Sequence, residues 1–380
     1  MIIIISILLN IVLLAFVFTD LYPRIRVWVN RIHIGRWNDQ SAWLEAVLNR
    51  SQKWLYHSPT VKLTDNNSFI LWDILQGRYR HSTIQSWQDA GLLFGLLSSK
   101  KEKQVNTWIN VKLYDKGQWR EKPQHIDAAL LAYVILQATD KPNQVKPAMD
   151  YIYHLILSCK EDDTVCYRKE VSAVRFVDTL GLICPFLIQY GRVYGDEQAI
   201  SLALMQFKEY DIALLPKLGF PCHAFDMEKL LPRGIYDWGR GLGWYILALV
   251  EGNRALSGKV VDFDLKERIV KLAETLLHFQ NAYGGFSCMI FDTNAYPESS
   301  VTVLAGLLFH EAWLYTHNTA FDKARHQTLK SLMMVTQRNG AIDYCQGDTK
   351  GIGFYSITFD YMPFVQGLTL LLANRIDSEK

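Results

Sequence analysis

Apolar positions from about residue 40 onward recur at helical spacing, and the strict alternation typical of half-buried strands is scarce. Glycine, proline, asparagine and aspartate separate the apolar periods. The spacing predicts twelve helices, at 40–56, 85–98, 101–114, 125–138, 144–158, 175–193, 196–208, 238–256, 262–281, 298–315, 319–336 and 363–375. Because twelve helices form six successive pairs, we expect an all-α array of helical hairpins.

The chain has 380 residues and 49% hydrophobic content, which is enough for one large core or two medium ones. No strong internal repeat is visible, and no Gly/Ser-rich or Pro-rich linker divides the array. We therefore expect one domain over 40–380. Periodicity alone does not distinguish a closed toroid from a helical solenoid or a bundle, because each of them buries one face of every helix.

Residues 1–18 form an apolar run without a charged side chain, which is close to the minimum length for a membrane span. No basic segment precedes the run and no small-residue cleavage site follows it, so a cleaved signal peptide is the weaker interpretation. Four arginines follow the run, at Arg24, Arg26, Arg31 and Arg36. They predict a single-pass protein with a transmembrane anchor over 1–20, a basic juxtamembrane linker over 21–39 and a catalytic domain facing the cytoplasm.

Charge and cysteine content exclude some classes of function. The net charge of +2 gives no broad electrostatic surface for nucleic acid, so a DNA or RNA partner is not expected. The six cysteines lack the paired spacing of a zinc site and indicate buried or free thiols in a reducing compartment. Since neither His-x-x-x-His nor Cys-x-x-Cys occurs near the candidate site residues, we expect no metal and no cofactor.

Asp178 is the first candidate catalytic residue. It lies in an otherwise apolar stretch, 175–191, and a carboxylate in such surroundings must be hydrogen-bonded, paired or kept neutral by a raised pKa. That makes Asp178 a candidate general acid. A capping role at the start of the predicted helix explains the same segment equally well.

Asp127 lies about one hairpin repeat before Asp178 and also at a predicted helix start, where it either caps the backbone or faces a cavity. Equivalent positions on consecutive inner helices would place both carboxylates in one cavity. Two carboxylates that share a cavity separate in pKa, so that one holds the proton and the other is ionised. The sequence does not tell which of the two holds it.

Two further segments carry polar and aromatic groups. His223 lies in 220–226, where it either contacts a ligand or is an ordinary surface histidine. Trp238, Arg240 and Trp244 lie in Trp-Gly-Arg-Gly-Leu-Gly-Trp, where glycines allow close backbone approach, arginine offers a forked donor and tryptophans offer flat apolar faces. No strand precedes the glycines, so a nucleotide-binding loop is not indicated.

The run Phe-Val-Asp-x-Leu-x-x-x-x-Pro-Phe-Leu-x-x-Tyr-Gly at 176–191 resembles the segment with the catalytic acid in the unsaturated glycuronyl hydrolases of glycoside hydrolase families 88 and 105, especially the unsaturated rhamnogalacturonyl hydrolases. Segments 124–130, 220–226 and 236–245 resemble other motifs of these families. The loops at 296–300 and 347–353 match more loosely; the first is also explained by helix capping, and Lys350 in the second is a possible carboxylate contact. The resemblance covers roughly 40–375.

The resemblance implies an (α/α)6 barrel with its site at one mouth. It also implies a glycosidase that removes a 4,5-unsaturated uronic acid from the non-reducing end of an oligosaccharide made by a polysaccharide lyase. Asp178 would donate the proton and Asp127 would orient the sugar. The remaining implied contacts shape the pocket and are His223, Trp238, Arg240 and Trp244.

Ala128 and Leu242 depart from the family pattern, since polar residues are common at both positions. Two alternatives therefore stay open. One is another toroid enzyme, such as a lyase, an epimerase or an inverting glycosidase. The other is a membrane-tethered carbohydrate-binding or polysaccharide-assembly protein with a decayed site. The linkage partner of the uronic acid and the oligomeric state are not determined by the sequence.

Overall fold

The structure is a computed structural model that describes residues 1–59, 65–66, 68, 70–76, 85–114, 117–259, 263–292 and 294–379. Its helices are α1 (Ile2–Arg31), α2 (Gln40–Tyr56), α3 (Ile70–Leu75), α4 (Ser86–Ser98), α5 (Glu102–Lys112), α6 (Ala128–Ala138), α7 (Pro142–Leu157), α8 (Val177–Tyr194), α9 (Glu197–Tyr210), α10 (Gly239–Leu256), α11 (Leu265–Leu277), α12 (Ser299–Thr316), α13 (Thr319–Met334) and α14 (Pro363–Asp377). The twelve predicted helices are confirmed, although the predicted start of one, residue 262, lies outside the described residues.

Six helices form a closed inner ring in the order α4, α6, α8, α10, α12 and α14, with α14 packed against α4 again. The other helix of each pair lies outside this ring and packs against one or two adjacent inner helices. These outer helices are α2, α5, α7, α9, α11 and α13. The fold is therefore the (α/α)6 toroid that the resemblance implied. Nearly every residue of an inner helix is buried, because the ring covers one side and the outer helices cover the other.

Ring closure depends on two helices that pack backbone to backbone. A Cβ atom added to Gly91 or Gly95 of α4 would collide with the backbone of Phe364 or Gly367 in α14, and one added to Gly367 would collide with Gly91. Only glycine allows two helices to approach this closely. The first and last inner helices can therefore meet and close the toroid.

The connections differ in length at the two ends of the barrel. Each connection from an outer to the next inner helix is long, and these connections form the rim that we call the mouth. They carry three small antiparallel sheets: β1 (Lys160–Glu161) with β2 (Thr164–Val165), β3 (Val174–Phe176) with β4 (Ala224–Asp226) and β5 (Leu231–Arg233), and β6 (Cys345–Gln346) with β7 (Phe359–Asp360). The opposite end, which we call the base, has mostly short turns. Functional side chains are accordingly expected at the mouth.

Helix α1 begins in the apolar segment and continues without a break to Arg31, so the first part of the predicted linker is helical. Its second half contacts the mouth rim: Arg31 forms an ion pair with Asp343 at 2.7 Å, and the Arg338 N–H donates to the Asn30 carbonyl at 3.0 Å. Among the described residues it is the one helix long and apolar enough to cross a membrane, a property that it shares with signal sequences.

All six cysteines are buried and unpaired, as the sequence indicated. Within the described ranges, no group of three or more His, Cys, Asp or Glu side chains is arranged to hold a metal ion.

Candidate functional site

Asp178 lies in the first turn of α8, at the mouth. Strand β3 leads directly into this helix, and the Val177 N–H donates to the His223 carbonyl at 3.1 Å, so the sheet fixes the helix start beside His223. The Oδ2 atom of Asp178 is buried and has no hydrogen-bond partner among the residues described. Burial raises the pKa of Asp178 to about 6, while a backbone hydrogen bond and the charge of Arg240 oppose the rise. This carboxyl group can hold and release a proton near neutral pH.

Asp127 immediately precedes α6, the inner helix next to α8. Its side chain makes no capping hydrogen bond, so the capping alternative does not describe it. The carboxylate is half-buried, and the Nη2 atom of Arg168 lies 3.9 Å from its Oδ1 atom. Asp127 and Asp178 thus lie at the mouth-side starts of neighbouring inner helices, Asp127 just before its helix and Asp178 in the first turn of its own.

Arg168 and Tyr167 are mouth residues that the sequence analysis missed. The Arg168 guanidinium lies 3.9 Å from the centroid of the Tyr167 ring, and its charge lowers the pKa of Asp178. Burial raises the pKa of Tyr167, and the charges of Asp127, Asp178 and Asp348 raise it further. Tyr167 and Arg168 therefore lie among the mouth carboxylates. Their segment has no recognisable motif, and an adjacent aromatic and arginine in a mouth connection was the only available signal.

The loop after β6 contributes a third carboxylate. Asp348 accepts a hydrogen bond from Gln85 Nε2 at 3.2 Å, and its charge raises the pKa of Asp178. Lys350, the possible carboxylate contact in this loop, lies 3.7 Å from Asp65 Oδ1 instead. The charge of Asp348 therefore helps to keep Asp178 protonated, and Lys350 is paired within the rim.

His223 is buried, with 3% of its surface exposed, so it is not the surface histidine that its loop position allowed. Its ring packs against Trp238 at 4.4 Å, Tyr355 at 5.5 Å and Phe176 at 5.8 Å between centroids. Burial lowers the pKa of His223 to about 4, and the charge of Arg240 acts in the same direction. His223 is therefore neutral near neutral pH. Its Nδ1 atom is buried without a hydrogen-bond partner in the described structure.

Trp238 and Arg240 attach the start of α10 to the loop that contains Asp348. The Trp238 Nε1–H donates to Gln346 Oε1 at 3.1 Å. The two terminal nitrogens of Arg240 donate to the backbone carbonyls of Gln346 and Gly347, and its guanidinium lies 5.7 Å from the Trp238 ring centroid. These are the contacts of a structural clamp, and they engage both terminal nitrogens of the Arg240 guanidinium.

Glu298 holds the same loop from the next inner helix. Its Oε2 accepts from the Val301 N–H at 2.8 Å, which caps α12, and its Oε1 accepts from the Gln346 N–H at 3.1 Å. The capping interpretation of 296–300 is therefore confirmed. The additional contact shows that two inner helices fix Gln346 and the start of the Asp348 loop.

Trp244 lies deeper than the other candidates. Its ring packs edge-on against Trp87, with 5.4 Å between ring centroids, and at a tilt against Phe364, with 5.1 Å between centroids. A Cβ atom added to Gly181 would collide with Trp244. Since Gly181 lies one turn after Asp178 on α8, Trp244 packs beneath the site. The structure brings five of the six candidates together at the mouth and places Trp244 in the layer that supports them.

Comparison with known proteins places most of the barrel in one family. The model of Glycosyl Hydrolase Family 88 matches residues 52–376. A search of curated proteins finds no match.

Solved structures share the fold at low sequence identity. A possible member of the GH105 family from Salmonella enterica has a TM-score of 0.72 at 14% identity, covering 89% of this chain and 94% of that one. A family 105 glycoside hydrolase from C. acetobutylicum gives 0.65 at 16%, covering 81% and 98%. The unsaturated glucuronyl hydrolase from Bacillus sp. GL1 gives 0.62 at 15%, covering 88% and 95%. These likenesses show the fold.

Proposed function

The chain belongs to glycosyl hydrolase family 88, and on that premise we propose that it releases a 4,5-unsaturated uronic acid from the non-reducing end of oligosaccharides produced by polysaccharide lyases. The reaction is a hydration. An acid protonates C4 of the enol ether, water adds to C5, and the resulting hemiketal opens and releases the rest of the saccharide. An ordinary glycosidase instead uses its two carboxyl groups at the anomeric carbon.

The observation that carries this proposal is the buried Oδ2 atom of Asp178 at the mouth, which has no hydrogen-bond partner among the residues that the structure describes. An unsatisfied buried oxygen costs about 1–3 kcal/mol, so its persistence favours a function over a structural role. With a pKa of about 6, Asp178 is protonated often enough near neutral pH to donate to C4. After donation, the carboxylate can accept a proton from the water that attacks C5.

We assign recognition of the uronate carboxylate to Arg168. The resemblance placed Arg240 in the pocket, but the Nη1 and Nη2 atoms of Arg240 each donate to a loop carbonyl. Arg168 is 27% exposed, and its guanidinium is supported by the Tyr167 ring. Its Nη1 atom donates to the Tyr167 carbonyl at 2.9 Å, and its Nη2 atom lies 3.9 Å from Asp127 Oδ1. A guanidinium in that position can bind a carboxylate through two parallel hydrogen bonds. Asp127 then holds both Arg168 and a sugar hydroxyl.

The remaining mouth residues supply an aromatic wall. Trp238 and Tyr355 lie 5.2 Å apart between centroids and enclose His223. Because His223 is neutral above pH 4, its Nδ1 atom can form a hydrogen bond with a sugar hydroxyl or with water. Arg240 and Trp244 support this wall from the side and from below. No step of this reaction requires a metal or a cofactor.

We also propose that α1 anchors the protein in a membrane, with the barrel on the cytoplasmic side. The apolar run and the arginines that follow it support this orientation. A reporter fused to the C-terminus should then be cytoplasmic, and a truncated chain beginning near Trp37 should be soluble. A C-terminal reporter on the opposite side would overturn the orientation.

A panel of unsaturated disaccharides, each with its saturated twin, tests the proposed reaction. We expect the ultraviolet absorbance of the enol ether to disappear with at least one substrate, and every saturated twin to stay intact. Cleavage of a saturated twin would identify another toroid enzyme. Binding without turnover across the panel would support the carbohydrate-binding alternative.

A further inference from the structure

An open cavity of about 360 Å³ lies where α1 meets the barrel, away from Asp178. One wall is formed by Tyr22, Ile25, Arg26, Val29 and Asn30 of α1, and the opposite wall by Arg50 and Asn339 of the barrel. The α1 wall is mainly apolar. The cavity therefore combines an apolar surface with two arginines from different parts of the chain.

The two arginines lack an anionic partner in the part of the chain that the structure describes. Arg50 donates through Nε to the Asn339 carbonyl at 2.9 Å, and its guanidinium lies 5.7 Å from the Trp54 ring centroid. Burial lowers the pKa of Arg50, and the nearby charge of Arg26 lowers it further. Two like charges beside one cavity are mutually unfavourable, and an anion bound between them would relieve the repulsion.

The position of the cavity along α1 indicates which anion it meets. At 1.5 Å per residue, the apolar run of residues 1–18 spans about 27 Å, close to the hydrocarbon thickness of a bilayer. Arg26 then lies roughly 12 Å beyond the end of the run, within side-chain reach of the headgroup layer. Tyr22 lies between the two, where amphipathic aromatic side chains are common.

We propose that this cavity binds the phosphate of an anionic phospholipid headgroup, with Arg26 and Arg50 as its ligands. The proposal rests on the membrane anchor described under the proposed function. The bound lipid would also affect how the barrel is positioned. The same helix holds the mouth rim through Arg31 and Asp343, so a bound headgroup fixes the mouth relative to the bilayer surface.

The test uses the full chain in phosphatidylcholine nanodiscs titrated with phosphatidylglycerol, with native mass spectrometry as the readout of retained lipid. The double variant Arg26→Gln/Arg50→Gln should bind phosphatidylglycerol at least about tenfold more weakly than the wild type. The matched control Arg36→Gln/Lys53→Gln removes the same charge outside the cavity and should stay within about twofold. Equal losses in both variants, or no preference for phosphatidylglycerol over phosphatidylcholine, would overturn the proposal.

Two further arms separate the possible causes of failure. Inorganic phosphate and glycerol phosphate should not compete at concentrations comparable to the lipid; competition by either would identify a free phosphate site instead. A full chain that remains outside the nanodiscs would overturn the proposal at its premise. Turnover of an unsaturated disaccharide, measured on the same preparations, should be equal in all variants, so that failure of the lipid site and failure of the proposed reaction are distinguished.

Discussion

Both ends of the inner ring contain buried charged side chains, but the two ends differ in whether these side chains have partners within the protein. At the base, Glu251 is fully buried and forms an ion pair with Arg375 at 2.7 Å, while the Tyr133 hydroxyl donates to its other oxygen at 3.1 Å. At the mouth, Asp178 Oδ2 and His223 Nδ1 are buried without partners in the described structure. The base balances its charges within the protein, whereas the mouth leaves polar atoms available to a ligand.

A second group of charged side chains at the base is also paired within the protein. Glu311 pairs with Arg254 and accepts from the Tyr315 hydroxyl at 3.0 Å, and Arg325 lies 2.7 Å from His310 Nδ1. Arg375 Nη1 and Glu251 Oε1 are exceptions because neither makes a hydrogen bond within the described structure, but the two charges still compensate each other across their 2.7 Å ion pair. Burial of a charged side chain alone therefore does not locate a functional site. A missing partner in a mouth built from loops is the more specific signal.

The base should be the more sensitive end for stability. Arg375→Leu leaves Glu251 buried and unpaired, and we expect the free energy of unfolding to fall by about 3–5 kcal/mol. Urea denaturation measures this loss. The double variant Glu251→Leu/Arg375→Leu removes both charges and should recover much of it. A single variant that is as stable as the wild type would contradict the comparison.

The mouth should be the more sensitive end for chemistry. Asp178→Asn preserves shape but removes the acidic proton, so turnover should fall by at least about 100-fold while ligand binding is retained. The melting temperature should not fall, because the substitution removes a buried carboxylate with an unsatisfied oxygen. Asp162→Asn, in the exposed turn between β1 and β2, is the matched control. Near-normal turnover by a folded Asp178→Asn variant would remove the acid role.

The pH dependence of kcat/KM should report the ionisation of Asp178. Since the pKa of Asp178 is raised to about 6 and its protonated form is required, kcat/KM should fall about tenfold per pH unit above pH 6. His223, with a pKa lowered to about 4, is neutral throughout this range and should add no second transition. The raised pKa of Asp178 also adds stability at low pH that is lost as pH rises through about 6. A flat kcat/KM profile between pH 5 and 8 would contradict the assignment.

Substitution of Arg168 should have a smaller effect on activity than substitution of Asp178. Arg168→Gln should raise the KM for an unsaturated uronate at least about tenfold and leave kcat and melting temperature nearly unchanged, because a charge-assisted hydrogen bond to substrate is lost. The methyl ester of the same substrate lacks the carboxylate charge and should respond much less to the substitution. Equal losses on the acid and the ester would assign Arg168 a structural role.

The fold was largely predictable from the sequence because the outer helices carry apolar residues at helical spacing, and the inner helices, buried on both sides, are long apolar segments. Helix α3 was missed, since six residues are too few to show a helical period. The candidate segments around Asp127 and Asp178 came from the resemblance, and their spacing of about one hairpin repeat agrees with their places at the starts of α6 and α8. Ring closure came only from the resemblance, because α4 and α14 meet at opposite ends of the sequence.

The electrostatic roles at the mouth were not predictable in the same way. Whether Arg240 has free donors depends on two carbonyls more than a hundred residues later in the chain. His223 is buried by Trp238 and Tyr355, which no local pattern connects to it. Arg168 belongs to an irregular connection whose position is fixed by the tertiary structure. Local patterns predict which residues form helices, but long-range contacts decide which polar atoms stay available.

The most direct test of the central claim, that Asp178 protonates C4 of an enol ether, is turnover in D₂O followed by nuclear magnetic resonance. Early in the reaction, we expect the released uronic acid to carry one deuteron at C4 and no C4–C5 double bond, and we expect the Asp178→Asn variant to form almost none of this product. Release of a uronic acid that keeps its double bond, with no deuterium at C4, would show chemistry at the anomeric carbon and contradict the account.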